Sequence, residues 1–451
     1  MRIVLVSSGQ IAGQFAAELS REHDISIVHV GEAGRSELDR LDVELIEGRG
    51  NIPAALGRAH TAQADHLIAC SNSDETNIIA CLTARQLGGA HTTCFLAKEE
   101  YVRTFARGDG EGNNGAPGLA IDHLVWPSQM LADKIEQILA VPGATDVGEF
   151  ARGQISLIEY RLRAGLPLLD RPLMEIRALP PGVLVAAVTR GDDWFVPRGQ
   201  SVLKEGDRVL FIGRAEAMHQ LASWFSSHLE EERGGAIFLV GGGTVAFLLA
   251  KALERGGGLA VKLIEADAER CTFLAESLQR TLVLHGDGSD LDLLESEQVR
   301  YARALVAVTD KDEKNLLCSL LARQLGVPKV ITRVTSAANG RLFERVGIDV
   351  PLSTRGAAME AVLHRIRHHE VDLLATLAAG RGEVLEITLP ETFTPTALKE
   401  LRLPPDSLVA ALVRSHEAIV PGGATLIDPG DHCLVICKAE RVDEVREAFA
   451  R

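Results

Sequence analysis

A glycine-rich turn and an acidic residue near the middle of the chain have the spacing of a dinucleotide-binding fingerprint. The turn at 241–246 reads Gly-Gly-Gly-Thr-Val-Ala, which fits G-x-G-x-x-A, and Glu265 follows about 20 residues later. Gly241 permits a tight turn, Gly243 lets the backbone approach a pyrophosphate, and Glu265 can accept hydrogen bonds from the adenosine ribose hydroxyls. Because its charge repels a 2′-phosphate, the pattern favours NAD(H), ADP or ATP over NADP(H).

Further polar residues follow the later strands of the same half. In open α/β sheets, ligands bind beyond the carboxyl ends of the strands, where these residues meet. The helix that starts at Thr244 directs backbone N–H groups and its positive dipole end at the phosphates, and Arg333, at the end of the fifth strand, can reach a phosphate. For Thr309 and Asp312, a helix-capping role is an open alternative. The candidate nucleotide-binding residues are Gly241, Gly242, Gly243, Thr244, Val245, Glu265, Gly286, Asp287, Thr309, Asp310 and Arg333.

Apolar strands that alternate with amphipathic helices must position these residues. In the second half we predict strands at 236–240, 261–265, 281–285, 304–308 and 329–334. Such alternation is typical of a parallel, doubly wound sheet. The glycine turn then lies between the first strand and the first helix, which is the context that a dinucleotide site requires.

The chain repeats itself about halfway along. The segment Asp-Glu-x-Asn at 74–77 returns at 312–315, and Gly-Asp at 206–207 returns at 430–431. Two further pairs occur in the same order, so the matches indicate internal duplication. The first half carries an additional glycine-rich run at 108–118, which is typical of a flexible surface insertion. The two further pairs are 85–88 with 323–326 and 179–187 with 403–411.

Each half divides again into a longer and a shorter part. The longer part has the α/β alternation, whereas the shorter part has strands of alternating polarity, such as 155–162, and short helices. We therefore predict an α/β protein with two Rossmann-like doubly wound parallel sheets, each followed by a small α+β module. The predicted domains are residues 1–143, 144–229, 234–369 and 370–451.

The first half departs from the fingerprint at the chemically important positions. Ser7 replaces the first glycine, and His29 replaces the acid, so no carboxylate is available there for two ribose hydroxyls. Arg49 stands where the second half has Asp287. We expect a weak or empty site, and the alternative is that His29 or Arg49 adapts it to another phosphorylated ligand. The weaker candidates are Ser7, Ser8, Gly9, Gln10, Ile11, His29, Ser71 and Asn72.

Composition excludes several classes of function. The net charge of −15 argues against a nucleic-acid partner and against direct adsorption to anionic lipid. No apolar run approaches the ~18–20 residues that span a bilayer, and the start of the chain reads as a strand rather than a signal peptide. We expect a soluble, cytosolic protein. The seven cysteines form no C-x-x-C pair, and we expect them to be buried and reduced.

Three other interpretations compete with nucleotide sensing. His364 and His368 have the i, i+4 spacing of a zinc pair on a helix, but the basic residues around them favour a solvated face, and we expect no metal site. An NAD-dependent oxidoreductase would need an acid or base facing the nicotinamide, and no Tyr-x-x-x-Lys or paired His–Asp spacing suggests one. A nucleotide-sensing adaptor of a different membrane transporter is the third interpretation.

Taken together, these motifs resemble the TrkA family, the peripheral subunits of Trk potassium uptake systems, which carry RCK domains in tandem. The resemblance rests on the glycine turn, the Asp-Glu-x-Asn segments and the Leu-Pro and Gly-Asp motifs of the small modules, and it covers essentially the whole chain. It implies a non-enzymatic, cytoplasmic gating ring, typically a homotetramer, that docks on a TrkH-type channel subunit at the inner face of the cell membrane. It also implies that NAD(H), ATP or ADP binds in the Rossmann clefts and alters potassium flux. The family's binding residues carry over well to the second cleft and poorly to the first.

Overall fold

The structure, a computed structural model, describes residues 1–7, 10–20, 23–29, 38–105, 121–228, 235–366, 371–377, 381–415 and 417–449. The chain divides into two compact units. The first unit comprises Met1–Leu131 and Thr354–Val362, and the second comprises Ala132–Ser353 and Leu363–Arg451.

Six parallel strands form the sheet of the first unit. The strands are β1 (Arg2–Ser7), β2 (Asp24–His29), β3 (Glu44–Glu47), β4 (His66–Ala69), β5 (His91–Phe95) and β6 (His123–Val125). Their order across the sheet is β3-β2-β1-β4-β5-β6. The chain builds the sheet outward from β1 to β3 on one side and then from β4 to β6 on the other, so the strand order reverses between β1 and β4. Ligands of open α/β sheets bind at such a reversal, beyond the carboxyl ends of the strands. The helices of this part are α1 (Gln10–Leu19), α2 (Pro53–Arg58), α3 (Asp74–Leu87) and α4 (Glu99–Phe105).

Local sequence explains these elements. Strand β1 is buried at five consecutive positions, which is the pattern of a strand covered on both faces of a parallel sheet. Helix α3 begins after Ser73, whose hydroxyl accepts a hydrogen bond from the Thr76 amide at 3.2 Å. The helix carries Asp74 and Glu75 in its first turn and Arg85 in its last, which suits its dipole.

An antiparallel sheet follows helix α5 (Pro127–Ala140) along the chain. Its strands are β7 (Ala144–Phe150), β8 (Ile155–Arg161), β9 (Val183–Arg190), β10 (Asp193–Phe195) and β11 (Arg208–Arg214), in the order β10-β9-β11-β8-β7. Helix α6 (Ala215–His228) packs on this sheet through Met218, Leu221 and Phe225. We call this sheet and helix the first small domain.

A second six-stranded parallel sheet has the same topology as the first. Its strands are β12 (Ile237–Val240), β13 (Val261–Glu265), β14 (Leu282–His285), β15 (Ala304–Ala307), β16 (Val330–Val334) and β17 (Val350–Ser353), in the order β14-β13-β12-β15-β16-β17. The order reverses between β12 and β15, so this sheet also has a ligand-binding edge at its centre. Its helices are α7 (Thr244–Gly256), α8 (Ala268–Ser277), α9 (Leu291–Ser296), α10 (Asp312–Gln324) and α11 (Ala337–Arg345). Helix α12 (Thr354–Ile366) follows β17 along the chain, and its residues Thr354–Val362 belong to the first unit.

The last part of the chain repeats the antiparallel architecture. The five-stranded sheet has the order β18-β19-β24-β21-β22, and β20 pairs with β23 alone. These strands, with helix α13 (Val442–Phe449), form the second small domain. The strands are β18 (Val371–Leu377), β19 (Gly382–Thr388), β20 (Thr396–Ala397), β21 (Ser407–Arg414), β22 (Glu417–Ile419), β23 (Leu426–Ile427) and β24 (His432–Lys438).

The two small domains share one apolar core. Side chains from both sheets pack in a single cluster that includes Leu157 and Trp194 from the first domain and Val384 and Ile436 from the second. The Trp194 ring lies so close to the backbone of Gly382 that a β-carbon at position 382 would overlap the ring. Because Gly382 does not have a positive φ, the tryptophan ring alone explains the glycine.

An ion pair between a buried aspartate and a partly exposed arginine recurs in both small domains and explains the repeated Gly-Asp motif. Arg190 donates to both carboxylate oxygens of Asp207 at 2.8 and 2.7 Å, and Arg414 donates likewise to Asp431 at 2.8 and 2.6 Å. Each arginine also donates to a backbone carbonyl at the same relative position. Burial alone would raise the pKa of Asp431, but Arg414 and the Asp428 amide hold that pKa below its usual value. The duplication therefore extends to the interactions inside each fold.

The predicted fold class is confirmed, and the predicted strands agree with the observed ones to within about a residue. In the second parallel sheet one strand was not predicted: β17 forms the outer edge of that sheet, as β6 does in the first. Arg333 is the penultimate residue of β16 rather than its last. The predicted insertion at 108–118 lies outside the described residues.

The predicted environment of the cysteines is also confirmed, because all seven are free and buried. Among the described residues, no helix combines the length and the apolar character needed to cross a membrane.

We predict that Gly382→Ala destabilises the paired small domains. The new methyl group must displace the Trp194 ring, and overpacking of this kind costs about 1–3 kcal/mol. The effect is measured as a lower melting temperature of the full chain, with Gly422→Ala as the control because a β-carbon there meets nothing within 4 Å. Trp194→Leu combined with Gly382→Ala should cost less than the sum of the two single changes. Additive costs would contradict the proposed clash.

Candidate functional site

A cleft of about 460 Å³ opens at the carboxyl edge of the second parallel sheet, where the strand order reverses. The cleft brings together eight of the eleven candidate nucleotide-binding residues of the second half. The other three, Thr244, Val245 and Asp287, are not among its lining residues. The lining residues are Val240, Gly241, Gly242, Gly243, Ile264, Glu265, Ala266, Arg270, Gly286, Gly288, Val308, Thr309, Asp310, Lys311, Lys314 and Arg333.

The three positions of the turn differ in what makes glycine necessary there. Gly241 has a φ of 97°, a conformation that favours glycine. A β-carbon at Gly242 would lie 2.6 Å from Leu274 Cδ1, so the packing excludes any side chain there. Gly243 has an ordinary φ of −66°, and a β-carbon there would meet nothing within 4 Å. Neither backbone strain nor packing therefore requires glycine at position 243. The space beside its α-carbon is open, so a group bound in the cleft can approach the backbone there.

Helix α7 starts at this turn without a side-chain cap. Its N-cap residue is Gly243, which has no side chain to accept hydrogen bonds from the first turn. Thr244 is exposed at the start of the helix, whereas Val245 is buried beneath it. The first-turn amides and the positive end of the helix dipole therefore face the cleft.

Glu265 is bonded to the glycine turn. Strands β12 and β13 pair Val240 with Ile264, so the residues that follow them are neighbours. The Glu265 Oε2 atom accepts a hydrogen bond from the Gly242 amide, and Oε1 accepts one from the Asp267 amide at 2.8 Å. Backbone donors therefore hold the carboxylate at the mouth of the cleft.

Arg270 is a cleft residue that the sequence analysis missed. Its Nε atom donates to the Gly242 carbonyl at 2.7 Å, and its guanidinium carbon lies 4.6 Å from the centre of the Phe273 ring. Glu265 and Arg270 thus hold the amide and the carbonyl of the same glycine. The signal available in the sequence was an arginine five positions after the acid, but only the structure shows that it turns back to the glycine loop.

Asn315 organises the opposite wall of the cleft. Its side-chain oxygen accepts hydrogen bonds from the amide and hydroxyl of Thr309 at 2.9 and 2.6 Å. Its side-chain nitrogen donates to the carbonyls of Thr309 and Arg333 at 3.1 and 3.0 Å. The capping alternative for Thr309 and Asp312 is wrong. Helix α10 has Lys311 as its N-cap without a side-chain hydrogen bond, and Asp312 instead accepts from the Thr335 amide.

Basic side chains balance the acidic ones along the rim. Lys314 donates to Asp287 Oδ2 at 3.0 Å, and the Arg333 Nη1 atom lies 3.4 Å from the Thr309 carbonyl oxygen. Hydrogen bonds from Ser289 and from Lys314 lower the pKa of Asp287 to about 2. Asp287 is therefore ionised and paired with Lys314 at neutral pH, and the cleft can offer Lys311 and Arg333 to an anionic ligand.

The first parallel sheet has a different residue at the position of Glu265. His29 ends β2, and its carbonyl accepts from the Gly48 amide at 3.0 Å, as the Glu265 carbonyl accepts from Gly286 at 2.8 Å. The His29 side chain is only 3% exposed, and within the described part of the chain neither ring nitrogen has a hydrogen-bond partner. A buried imidazole thus stands where the second half has a carboxylate.

Other first-half candidates retain structural roles. Ser71 donates to Asn77 at 2.6 Å, and Asn77 donates to the carbonyls of Ser71 and Phe95 at 3.0 and 2.9 Å, which repeats the Asn315 arrangement. Ser7 is buried and Asn72 is exposed. Ser8 and Gly9 lie outside the described residues, as do the side chains of Gln10 and Ile11 in helix α1.

The histidines considered for zinc give no described site. The backbone of His364 belongs to helix α12, but its side chain and all of His368 lie outside the described parts. Among the residues that are described, no group of three or more His, Cys, Asp or Glu side chains is arranged to hold a metal ion.

Comparison with known protein families gives the context of this site. The TrkA-N domain matches residues 3–110 and 237–354, and the TrkA-C domain matches residues 157–226 and 385–450. The chain belongs to the TrkA family. The exact limits of the four domains stay a prediction.

Curated TrkA proteins are similar along the whole chain. A Trk system potassium uptake protein TrkA homolog from Methanosarcina mazei is 32% identical, and the alignment covers 100% of both chains. The Trk system potassium uptake protein TrkA of Halomonas elongata is 32% identical over 100% of this chain and 98% of its own, and that of Haemophilus influenzae is 30% identical over the same shares.

Solved structures share the fold. The GsuK RCK domain has a TM-score of 0.59 at 18% identity and covers 100% of this chain and 95% of its own. A structure of the GsuK channel bound to NAD has a TM-score of 0.60 at 18% identity over 100% of this chain and 79% of its own. This TrkA-family chain therefore shares the fold of the GsuK RCK domain.

We predict that Asn315→Leu loosens the wall that carries Thr309. The substitution removes four hydrogen bonds and leaves partly buried backbone groups of Thr309 and Arg333 without these partners, at a cost of at least about 2 kcal/mol. Hydrogen exchange of the Thr309 amide should become faster, and the melting temperature should fall. Gln324→Leu, at an exposed position on the same helix, is the control. An unchanged exchange rate at Thr309 would contradict the role assigned to Asn315.

Proposed function

We propose that this chain is a nucleotide-responsive regulatory subunit of a Trk-type potassium uptake system. The observation that carries the proposal is the cleft of the second parallel sheet. Its glycine turn, its acid at the end of the neighbouring strand and its basic opposite wall match the parts of an adenine dinucleotide. NAD(H) is the ligand we favour, with ADP or ATP at the same place.

The chemistry of each wall supports this ligand class. The diphosphate would lie over Gly243 against the uncapped start of helix α7, where first-turn amides and the helix dipole favour negative charge. The adenosine ribose would lie against Glu265, whose carboxylate has further acceptor sites for the ribose hydroxyls while Oε2 keeps its hydrogen bond from the Gly242 amide. Lys311 and Arg333 would face the remainder of the ligand from the opposite wall.

The cleft supports binding better than catalysis. The residues that line it include no histidine, cysteine, tyrosine or serine. Histidine is the most frequent general base, and two of the other candidate groups of the cleft are engaged, Glu265 with the Gly242 amide and Lys314 with Asp287. We therefore propose that the nucleotide acts as an effector, which shifts the protein between two conformations by binding them with different affinity.

We propose further that the subunit works as part of a homotetrameric ring. The ring would lie on the cytoplasmic face of the cell membrane and dock on an integral TrkH-type channel subunit. The family membership, the RCK fold and the net charge of −15, which disfavours direct contact with anionic lipid, support this arrangement. Copurification from detergent-solubilised membranes tests it. A partner without the repeated pore loops of a potassium channel would contradict it.

Titration calorimetry of the full chain with NADH and with ADP tests the ligand. We predict about one strong site per chain, because only the second cleft has the carboxylate. Glu265→Ala should weaken NADH binding by at least about tenfold, since a hydrogen-bonded charge contributes about 1.5–3 kcal/mol. Gly243→Asp should abolish binding without unfolding the domain, because its φ suits any residue and its added carboxylate repels the phosphates.

Controls separate this result from general damage. Glu269→Ala changes an exposed acid of helix α8 that does not line the cleft, so it should leave the affinity for NADH unchanged. Two sites of equal affinity would contradict the prediction that the first cleft, with His29 in place of the acid, binds nucleotide weakly or not at all. Turnover of NADH with carbonyl substrates would contradict the regulatory interpretation.

We predict that the Glu265 carboxylate also makes the cleft select NADH over NADPH. NADPH should bind at least about tenfold more weakly than NADH, because its 2′-phosphate would lie against Glu265 in a partly buried site. Glu265→Gln should reduce the difference in affinity between NADH and NADPH, since it removes the negative charge and keeps an acceptor for the Gly242 amide. Competition of NADPH against NADH in the two proteins measures the effect, and an unchanged ratio would contradict it.

A further inference from the structure

Arg270 brings donor groups to the nucleotide cleft that the described protein does not use. Its Nε atom donates to the Gly242 carbonyl at 2.7 Å. Within the described part of the chain, its two terminal Nη groups make no further hydrogen bond and no ion pair. Arg270 nevertheless belongs to the residues that line the cleft. A planar cation therefore lies at the wall of the cleft with donors available to a ligand.

Two aromatic rings support this guanidinium from behind. Its central carbon lies 4.6 Å from the centre of the Phe273 ring and 5.8 Å from that of the Phe247 ring. Both distances allow attraction between the cation and the ring faces. Phe247 is buried in helix α7, whereas Phe273 of helix α8 is 44% exposed beside the cleft. The rings and the Gly242 carbonyl together hold Arg270 in one place.

Arg270 remains available because the neighbouring carboxylate is engaged elsewhere. The Glu265 Oε2 atom accepts from the Gly242 amide, and Oε1 accepts from the Asp267 amide at 2.8 Å. Glu265 and Arg270 bond to the amide and the carbonyl of the same glycine, so they lie close together, but they form no ion pair with each other. The wall of the cleft therefore presents a carboxylate and a guanidinium side by side.

The position of the ribose determines where the base of a nucleotide must lie. The ribose hydroxyls are placed on Glu265, and the base is attached to the sugar carbon next to the one that bears the 2′-hydroxyl. The diphosphate leaves the other end of the sugar, toward Gly243. The base therefore lies near Glu265 and away from the diphosphate. Arg270 lines this part of the cleft together with the small residues Ala266 and Gly286.

We propose that the guanidinium of Arg270 stacks on the adenine ring and makes the cleft select adenine over a pyrimidine base. Phe273 lies on one side of the guanidinium, and adenine lies on the other. Arginine stacks in this way on the bases of nucleic acids. Because a purine has a larger face than a pyrimidine, it gains more from the stack. This inference rests on the nucleotide proposed for this cleft and adds the residue that recognises its base.

Titration calorimetry of the full chain with ADP and with UDP tests the preference for the base. The two ligands have the same ribose and the same diphosphate, so a difference in affinity reports on the base alone. We expect ADP to bind at least about fivefold more tightly than UDP, because stacking on a base is a substantial part of nucleotide affinity.

Arg270→Lys separates stacking from the other roles of this side chain. Lysine keeps the positive charge and a donor for the Gly242 carbonyl, but it has no planar group to stack. The variant should weaken ADP binding at least about fivefold and UDP binding much less, so the ratio of the two affinities falls toward one. If Arg270 only holds the glycine turn, both nucleotides should weaken by the same factor. Binding of UDP also reports that the variant is folded.

Two further variants complete the test. Phe273→Leu removes the ring behind the guanidinium and keeps an apolar side chain, so it should lower the same ratio by a smaller factor. Arg255→Lys changes an exposed arginine of helix α7 that does not line the cleft, and it should leave both affinities unchanged.

The outcomes distinguish this inference from the proposed function. A ratio near one in the unchanged protein, or an unchanged ratio in Arg270→Lys, would overturn the role of Arg270. If ADP binding still depends on Glu265 in that case, the nucleotide site stands and only the recognition of the base fails. If neither ADP nor NADH binds the unchanged protein, the proposed function and the role of Arg270 fail together.

Discussion

The hydrogen bond between the Gly242 amide and the Glu265 carboxylate is the interaction on which the second cleft depends. It ties the loop after β12 to the end of β13, while Arg270 holds the carbonyl of the same glycine from the next helix. The glycine backbone, the start of helix α7 and the acid are thereby fixed relative to one another before any ligand arrives. Such preorganisation lowers the cost of binding, because the site need not be ordered at that moment.

The duplication shows which parts of the architecture both halves need. Asn77 and Asn315 make the same hydrogen bonds between a strand end and the neighbouring loop, and the two Arg–Asp pairs recur in the small domains. These interactions maintain the fold, since they occur in both copies. The acid does not recur: a buried histidine, His29, occupies its position in the first half. The two copies therefore share their scaffold and differ in the group that would select a ligand.

The fold and the main parts of the cleft could be predicted from the sequence, because they depend on local patterns. Apolar strands, the glycine turn and the repeat are visible in short segments. The edge strand β17 was missed because its four residues include Pro351 and Ser353, so it lacks the continuous apolar run of a strand buried on both faces. Arg270 was missed because nothing local shows that a helix residue turns back to bond with Gly242. Helix capping stayed an open alternative for Thr309 in the sequence, because its partner Asn315 acts through side-chain hydrogen bonds across a turn and a spacing rule for helix caps does not distinguish the two arrangements.

The central claim is that nucleotide binding resides in the second cleft and depends on Glu265. A structure of the full chain determined with saturating NADH tests it most directly. The account predicts one nucleotide per chain, with its diphosphate over Gly243 and its adenosine ribose hydroxyls on the Glu265 carboxylate, and no nucleotide beside His29. Density for a nucleotide in the first cleft, or an occupied second cleft in which Glu265 does not contact the ribose, would contradict it.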